Sequence, residues 1–280
     1  MTLPPHDPYS QPVPSAHGEW GQPSPAPQTG GGQPSPAPHA GWEDPGPVAP
    51  GSDLGADLGA ALSFTGNALL RNPLTYLISG LIFCVIYLVI GGGGLVGGFF
   101  AMFAIMGDPN PSDADGIAGI LAFYGVFLVA MLLTMPFALL WQSGAARAAG
   151  IIREGGRPSI GQAMVGSKRV ILTALLYGLV VIVGMLLLYI PGLIAGVLFM
   201  FAIPAALRGA SPMEAMKESL ALSKANLGTT IVSYLVIMVI TSIASMIILP
   251  LLVLTPFIML FELGMYERLS GRRLPEPARA

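Results

Sequence analysis

The thirteen Lys and Arg residues of this chain stand only at the edges of hydrophobic stretches. They are Arg71, Arg147, Arg153, Arg157, Lys168, Arg169, Arg208, Lys217, Lys224, Arg268, Arg272, Arg273 and Arg279. A single threading through a bilayer puts all of them on one side, and basic residues accumulate in cytoplasmic loops. Their positions therefore predict both the number of crossings and the orientation. Composition agrees, because 53% of residues are hydrophobic and 10% are charged, whereas soluble domains carry roughly a quarter charged residues. That is too little charge to coat a water-facing surface. The formal charge of -2 gives no basic surplus for nucleic acid, and none is expected as a partner.

A spanning helix needs about 20 apolar residues, which divides residues 53–270 into six expected spans: 74–106, 117–141, 170–190, 193–207, 229–249 and 251–266. The first is long for one crossing. Its glycines at 91–94 and 97–98 are a place to bend, extend or re-enter, and one span with an outer extension is the most economical reading. Pro191-Gly192 predicts a tight turn, Pro136 a kink and Pro204 the basic end of the fourth span. Basic loops follow at 147–169 and 208–228, and 271–280 form a C-terminal tail. Both termini are expected in the cytoplasm. No basic segment precedes an apolar one at Met1, so the first span is expected to act as an internal signal anchor.

Residues 1–52 differ in kind: they hold 14 of the 26 prolines and all three histidines but no Lys or Arg. The heptapeptide GQPSPAP occurs twice, from Gly21 and from Gly32. Proline removes donors and favours polyproline II, so a disordered Pro/Gly-rich cytoplasmic tail is expected. A protein partner that reads proline-rich segments is the functional alternative to a solvated tail. Cys84 is the single cysteine and reads as a buried filler, which excludes an internal disulfide.

The two basic loops repeat one motif. Ser159-Ile-Gly-Gln162 and Ser211-Pro-Met-Glu214 both have the Ser-x-x-(Glu/Gln) form of a capping box, and each precedes an outward span. A blurrier unit, Leu54, Leu58, Leu62 and Leu69, precedes the first span. The chain thus reads as three amphipathic elbow helices, each followed by a membrane hairpin. Such helices either bind lipid headgroups or pack beneath the bundle, and their modest basic content favours packing.

The stretch 191–228 carries Pro191-Gly192, Pro204, Ser211, Glu214, Ala215, Ser219 and a Lys224-to-Gly228 helix exit. It resembles the signature region of poorly characterised bacterial multi-pass membrane proteins, which include the membrane domain fused to some glycerophosphodiester phosphodiesterases. The resemblance implies a membrane fold in the bacterial inner membrane. It implies no phosphodiesterase activity, because the chain has no room for that soluble barrel.

Chemistry is sparse. No His lies beyond residue 39, which removes the commonest general base and metal ligand from the apolar part. No phosphate-binding loop ends in Lys-Ser or Lys-Thr, and Asp108, Asp113 and Asp115 read as an acidic turn rather than a cation site. No catalytic residue, metal or cofactor is expected. The exception is Glu262, near the basic end of the last span, where an unpaired ionisable group costs about 2.5–3.5 kcal/mol. An ion pair with Arg268, Arg208 or Arg147 is the first expectation for it, and a proton or cation relay the second. The sequence therefore reads as an all-α integral membrane protein. It is expected to be non-catalytic and to organise lipids or partner proteins at the inner face, with a small transporter or channel as the alternative.

Overall fold

The computed structural model describes residues 49–107 and 112–275. The expectations for the Pro-rich tail up to residue 48, for Asp108 and for residues 276–280 lie outside them. Every described element is helical. In chain order these are α1 (Leu54–Arg71), α2 (Pro73–Met106), α3 (Asp113–Arg153), α4 (Ile160–Met164) and α5 (Lys168–Leu188), followed by α6 (Ile190–Phe199), α7 (Ala202–Leu207), α8 (Pro212–Ala225), α9 (Leu227–Ala244) and α10 (Ile248–Leu269). Six segments are long and apolar enough to cross a membrane: α2, α3, α4–α5, α6–α7, α9 and most of α10.

Side-chain caps set several helix starts. The Asp53 carboxylate accepts from Ala56 N–H at 2.7 Å to open α1. Ser159 and Gln162 form the expected reciprocal capping box on α4, with Ser159 N–H donating to Gln162 Oε1 at 2.8 Å. Ser211 N–H donates to Glu214 Oε2 at 3.0 Å at the start of α8. A third box, Ser112 with Asp115, starts α3. The carboxylate of Asp115 therefore serves the helix N-terminus, where N–H groups lack partners.

The glycines of α2 do not break it. It runs for 34 residues, about 51 Å at 1.5 Å per residue, against a hydrocarbon thickness of about 30 Å. Gly94 and Gly98 seat it on α3, since a Cβ at Gly94 would overlap the Ala130 side chain and one at Gly98 would meet Phe123. α3 is longer still at 41 residues and continues through Pro136, so the basic loop begins after Arg153 rather than at Arg147. The turn between α5 and α6 falls on Tyr189, whose φ of 59° lies in the left-handed region, while Pro191 sits in the first turn of α6. The fourth span divides at Met200–Phe201 into α6 and α7. Pro204 explains the division, because it has no N–H for the Met200 carbonyl and its ring crowds that carbonyl.

The core is not spread along the bundle. Most of its buried residues are Ala61, Phe64 and Ala68 of α1, Ala145, Ala146, Ala148, Ala149 and Ile152 of α3, Phe201–Ala206 around α7, and residues 259–269 of α10. These belong to the end that carries the basic residues. Alanines dominate it, which lets backbones approach closely. α6–α7 and α10 are more than half buried, whereas α2, α3, α5 and α9 present most of their apolar surface outward, as lipid-facing helices do. The three hairpins α2/α3, α5/α6–α7 and α9/α10 thus join at a packed base, and α10 packs against α1, α2, α3, α7 and α9.

Candidate functional site

The charged residues of the base form two linked ion-pair groups around the end of α10. Asp57, on the face of α1 that also carries Ala61, Phe64 and Ala68, is 1% exposed. Arg268 Nε donates to its Oδ1 at 2.7 Å, and Gly51 N–H donates to the same oxygen at 3.1 Å. One residue earlier, Glu267 is equally buried and collects three guanidinium groups. Arg208, just after α7, donates from Nε to Glu267 Oε1 at 2.9 Å and from Nη2 to Oε2. Arg272 Nη1 lies 3.3 Å from Oε2, and Arg153 Nη1 lies 3.7 Å from Oε1. Arg153 also bonds Glu154 at 2.7 Å through Nη2. Tyr266 OH donates to Glu218 of α8, and the Arg272 guanidinium sits 5.6 Å above the Tyr266 ring. These contacts draw α1, α3, the α7–α8 turn and α8 onto the last turns of α10.

Glu262 belongs to this packed base and is itself buried, but the expected ion pair is not made. Each of its three expected partners is engaged elsewhere: Arg268 with Asp57, Arg208 with Glu267, and Arg147 with the Val165 carbonyl at 3.3 Å. Among the described residues Glu262 has no ion pair within 4.0 Å. Nearby, Tyr234 of α9 lies against Gly196 of α6, with its hydroxyl 2.7 Å from where a Cβ would stand.

The elbow positions Ser159, Gln162, Ser211 and Glu214 are brought into use as helix caps rather than joined into one site. The Ser211 side chain and backbone N–H hold the Glu214 carboxylate below the usual carboxylate range. Beneath them lies a residue with a sharper structural task. Ser219 of α8 accepts from Phe201 N–H at 3.1 Å and donates to Leu198 O at 3.0 Å, so its one hydroxyl satisfies two backbone groups at the break before Pro204.

Sequence reading missed Asp57 and Glu267, and it named Ser219 only within the resembling stretch, without its role at the break between α6 and α7. The first had a visible signal, since Asp57, Ala61, Phe64 and Ala68 recur at helical spacing and form a narrower stripe than the leucines. The leucines flank the contact, and Leu54 and Leu62 are exposed.

Six candidate spans around a charged base define a multi-pass integral membrane protein. Residues 143–277 match the family model described as a domain of unknown function (DUF7847). No curated protein matches the chain, and no solved structure does. The matched segment holds every charged member of the site except Asp57, which α1 adds from outside it.

Proposed function

We propose that this is a non-catalytic membrane protein whose basic end lies on the cytoplasmic side of a bacterial inner membrane, where it organises lipids or a protein partner. One observation carries the reading. Charge is concentrated at the base, where the buried carboxylates Asp57 and Glu267 are neutralised by internal arginines, while the membrane-crossing helices meet the bilayer with apolar side chains. Exposed Arg157, Lys168, Arg169, Lys217, Lys224 and Arg273 ring that base, and such residues attract anionic headgroups with about 1 kcal/mol each near a charged surface. The resemblance to membrane domains fused to glycerophosphodiester phosphodiesterases supports a lipid-related setting without lending a reaction. The test is purification from native membranes with lipid and partner identification, set beside solute and ion flux in proteoliposomes. Enrichment of anionic lipid without flux is expected, and reproducible flux overturns the reading.

Transport is the second reading, and the burial of the Glu262 carboxyl in the last span with no ion pair among the described residues is the observation that favours it. Glu262→Gln separates the two, because glutamine keeps the shape but cannot carry a proton. Flux by the wild type that this variant abolishes, with the protein still folded, would make transport the leading function.

A further inference from the structure

We propose that Arg208 and Arg272 form a binding site for a phosphate group, carried by an anionic phospholipid headgroup or free in solution. Both guanidinium groups touch the same oxygen, Glu267 Oε2, which makes them neighbours although they come from the α7–α8 turn and the segment after α10. Both are also accessible. Their side chains are 35% and 40% exposed, whereas the Glu267 side chain between them is 2% exposed. Arg153 is the third cation at this carboxylate, but it is 13% exposed, and its Nη1 is buried without a hydrogen bond among the described residues. It lends charge rather than contact. One carboxylate cannot accept from every N–H of three guanidinium forks, so donors and positive charge are in surplus here.

The surplus survives when the neighbouring charges are included. Arg169 reaches the same turn, with Nη1 3.4 Å from where a Cβ would stand on Gly209, so four arginines stand against Glu154, Glu218 and Glu267. Glu214 has Lys217 three positions on along α8, and Asp57 has Arg268. A positive charge is left over. Arg208 commits Nε and Nη2 to Glu267 and Arg272 commits Nη1, which leaves N–H groups on both for an oxyanion, and guanidinium forks match phosphate oxygens. Position favours a headgroup as the source. Arg208 directly follows the fourth span and Arg272 lies three residues beyond the sixth, at the polar layer that flanks the hydrocarbon core. The headgroup source rests on the lipid reading above, whereas the phosphate chemistry depends only on the arginines.

The test uses substitutions that keep charge. Arg208→Lys and Arg272→Lys preserve the cation but lose the planar fork, so diffuse attraction to an anionic surface is unchanged while a guanidinium site is lost. The full chain is placed in phosphatidylcholine nanodiscs doped with phosphatidylglycerol, and retained phosphatidylglycerol is quantified by native mass spectrometry. In a second arm, inorganic phosphate is titrated by calorimetry into the protein in undoped nanodiscs at constant ionic strength. Retention in the first arm identifies a headgroup, and heat in the second identifies free phosphate. Each lysine variant should weaken the binding about tenfold or more, the factor for one hydrogen bond to a charged group. If the variants do not fold, the wild type decides: the ligand should slow phenylglyoxal modification of Arg208 and Arg272 more than that of exposed Arg157 and Arg273. No binding in either arm, binding that both lysine variants keep in full, or equal protection of all four arginines overturns the site. Enrichment of anionic lipid that the variants keep would leave the proposed function standing without this site. Flux in proteoliposomes would overturn that function while leaving phosphate binding intact.

Discussion

Among the individual residues, Asp57 carries the heaviest structural duty for its size. Its partner Arg268 is 211 positions away and nearly as buried, and removing one member of a buried pair costs about 3–5 kcal/mol. Asp57→Asn is therefore expected to destabilise the protein by about 3 kcal/mol, read as a lowered unfolding midpoint in detergent. Glu214 behaves differently because it is solvent-exposed. Its folded carboxyl ionises below the ordinary value of 4.5, so its contribution is complete above that value and disappears as pH falls through the folded one. Protection of the amides at the start of α8, measured against their intrinsic exchange rate at each pH, should fall on acidification, and Glu214→Gln should flatten that response, since Gln162 already caps α4 in the same geometry. Glu262 was legible as unusual because a carboxylate stands out in an apolar run. That it makes no ion pair among the described residues was not legible, since pairing depends on which of several arginines the fold has already assigned.

The helices show a parallel division between what local rules reveal and what packing decides. Capping boxes at Ser159 and Ser211 could be read directly, because they involve residues three apart. Pro204 could be placed near the basic end of the fourth span, though not as the cause of a break there. What could not be read was the repair, which comes from Ser219 on another helix. Ser219→Ala leaves a buried N–H and a buried carbonyl without that hydroxyl and should cost about 1–3 kcal/mol, measured as loss of thermal stability with helix content retained. The glycine run was legible as a packing or bending element, and the structure assigns it to packing at Gly94 and Gly98 only. Gly94→Leu should separate α2 from α3 and strongly reduce stability. Gly92→Ala, where a Cβ meets nothing within 4 Å, should be neutral or stabilise by about 0.5–1 kcal/mol. A thermal scan of both variants distinguishes a seated glycine from an incidental one.

Across the whole molecule, six spans in three hairpins followed from the spacing of apolar runs and basic loops. The concentration of the core at one end did not, because hydropathy scores lipid-facing and protein-facing apolar residues alike. Topology reporters placed after Ser112 and after Arg153 should give opposite readings, external and cytoplasmic respectively. The same sidedness from both would overturn the orientation proposed here.

The central place of α10 also bears on how the protein is made. Chains emerge N-terminus first, so α1 is synthesised long before Arg268 exists to meet Asp57, and Arg208 waits likewise for Glu267. Each hairpin can enter the bilayer as it appears, but the base has nothing to close around until the final helix arrives. Ribosome-bound chains halted before α10 should therefore be inserted yet cleavable by protease within α1, and chains halted well beyond Arg272 should resist. The last helix acts as the keystone, making completion of synthesis the event that locks the molecule together.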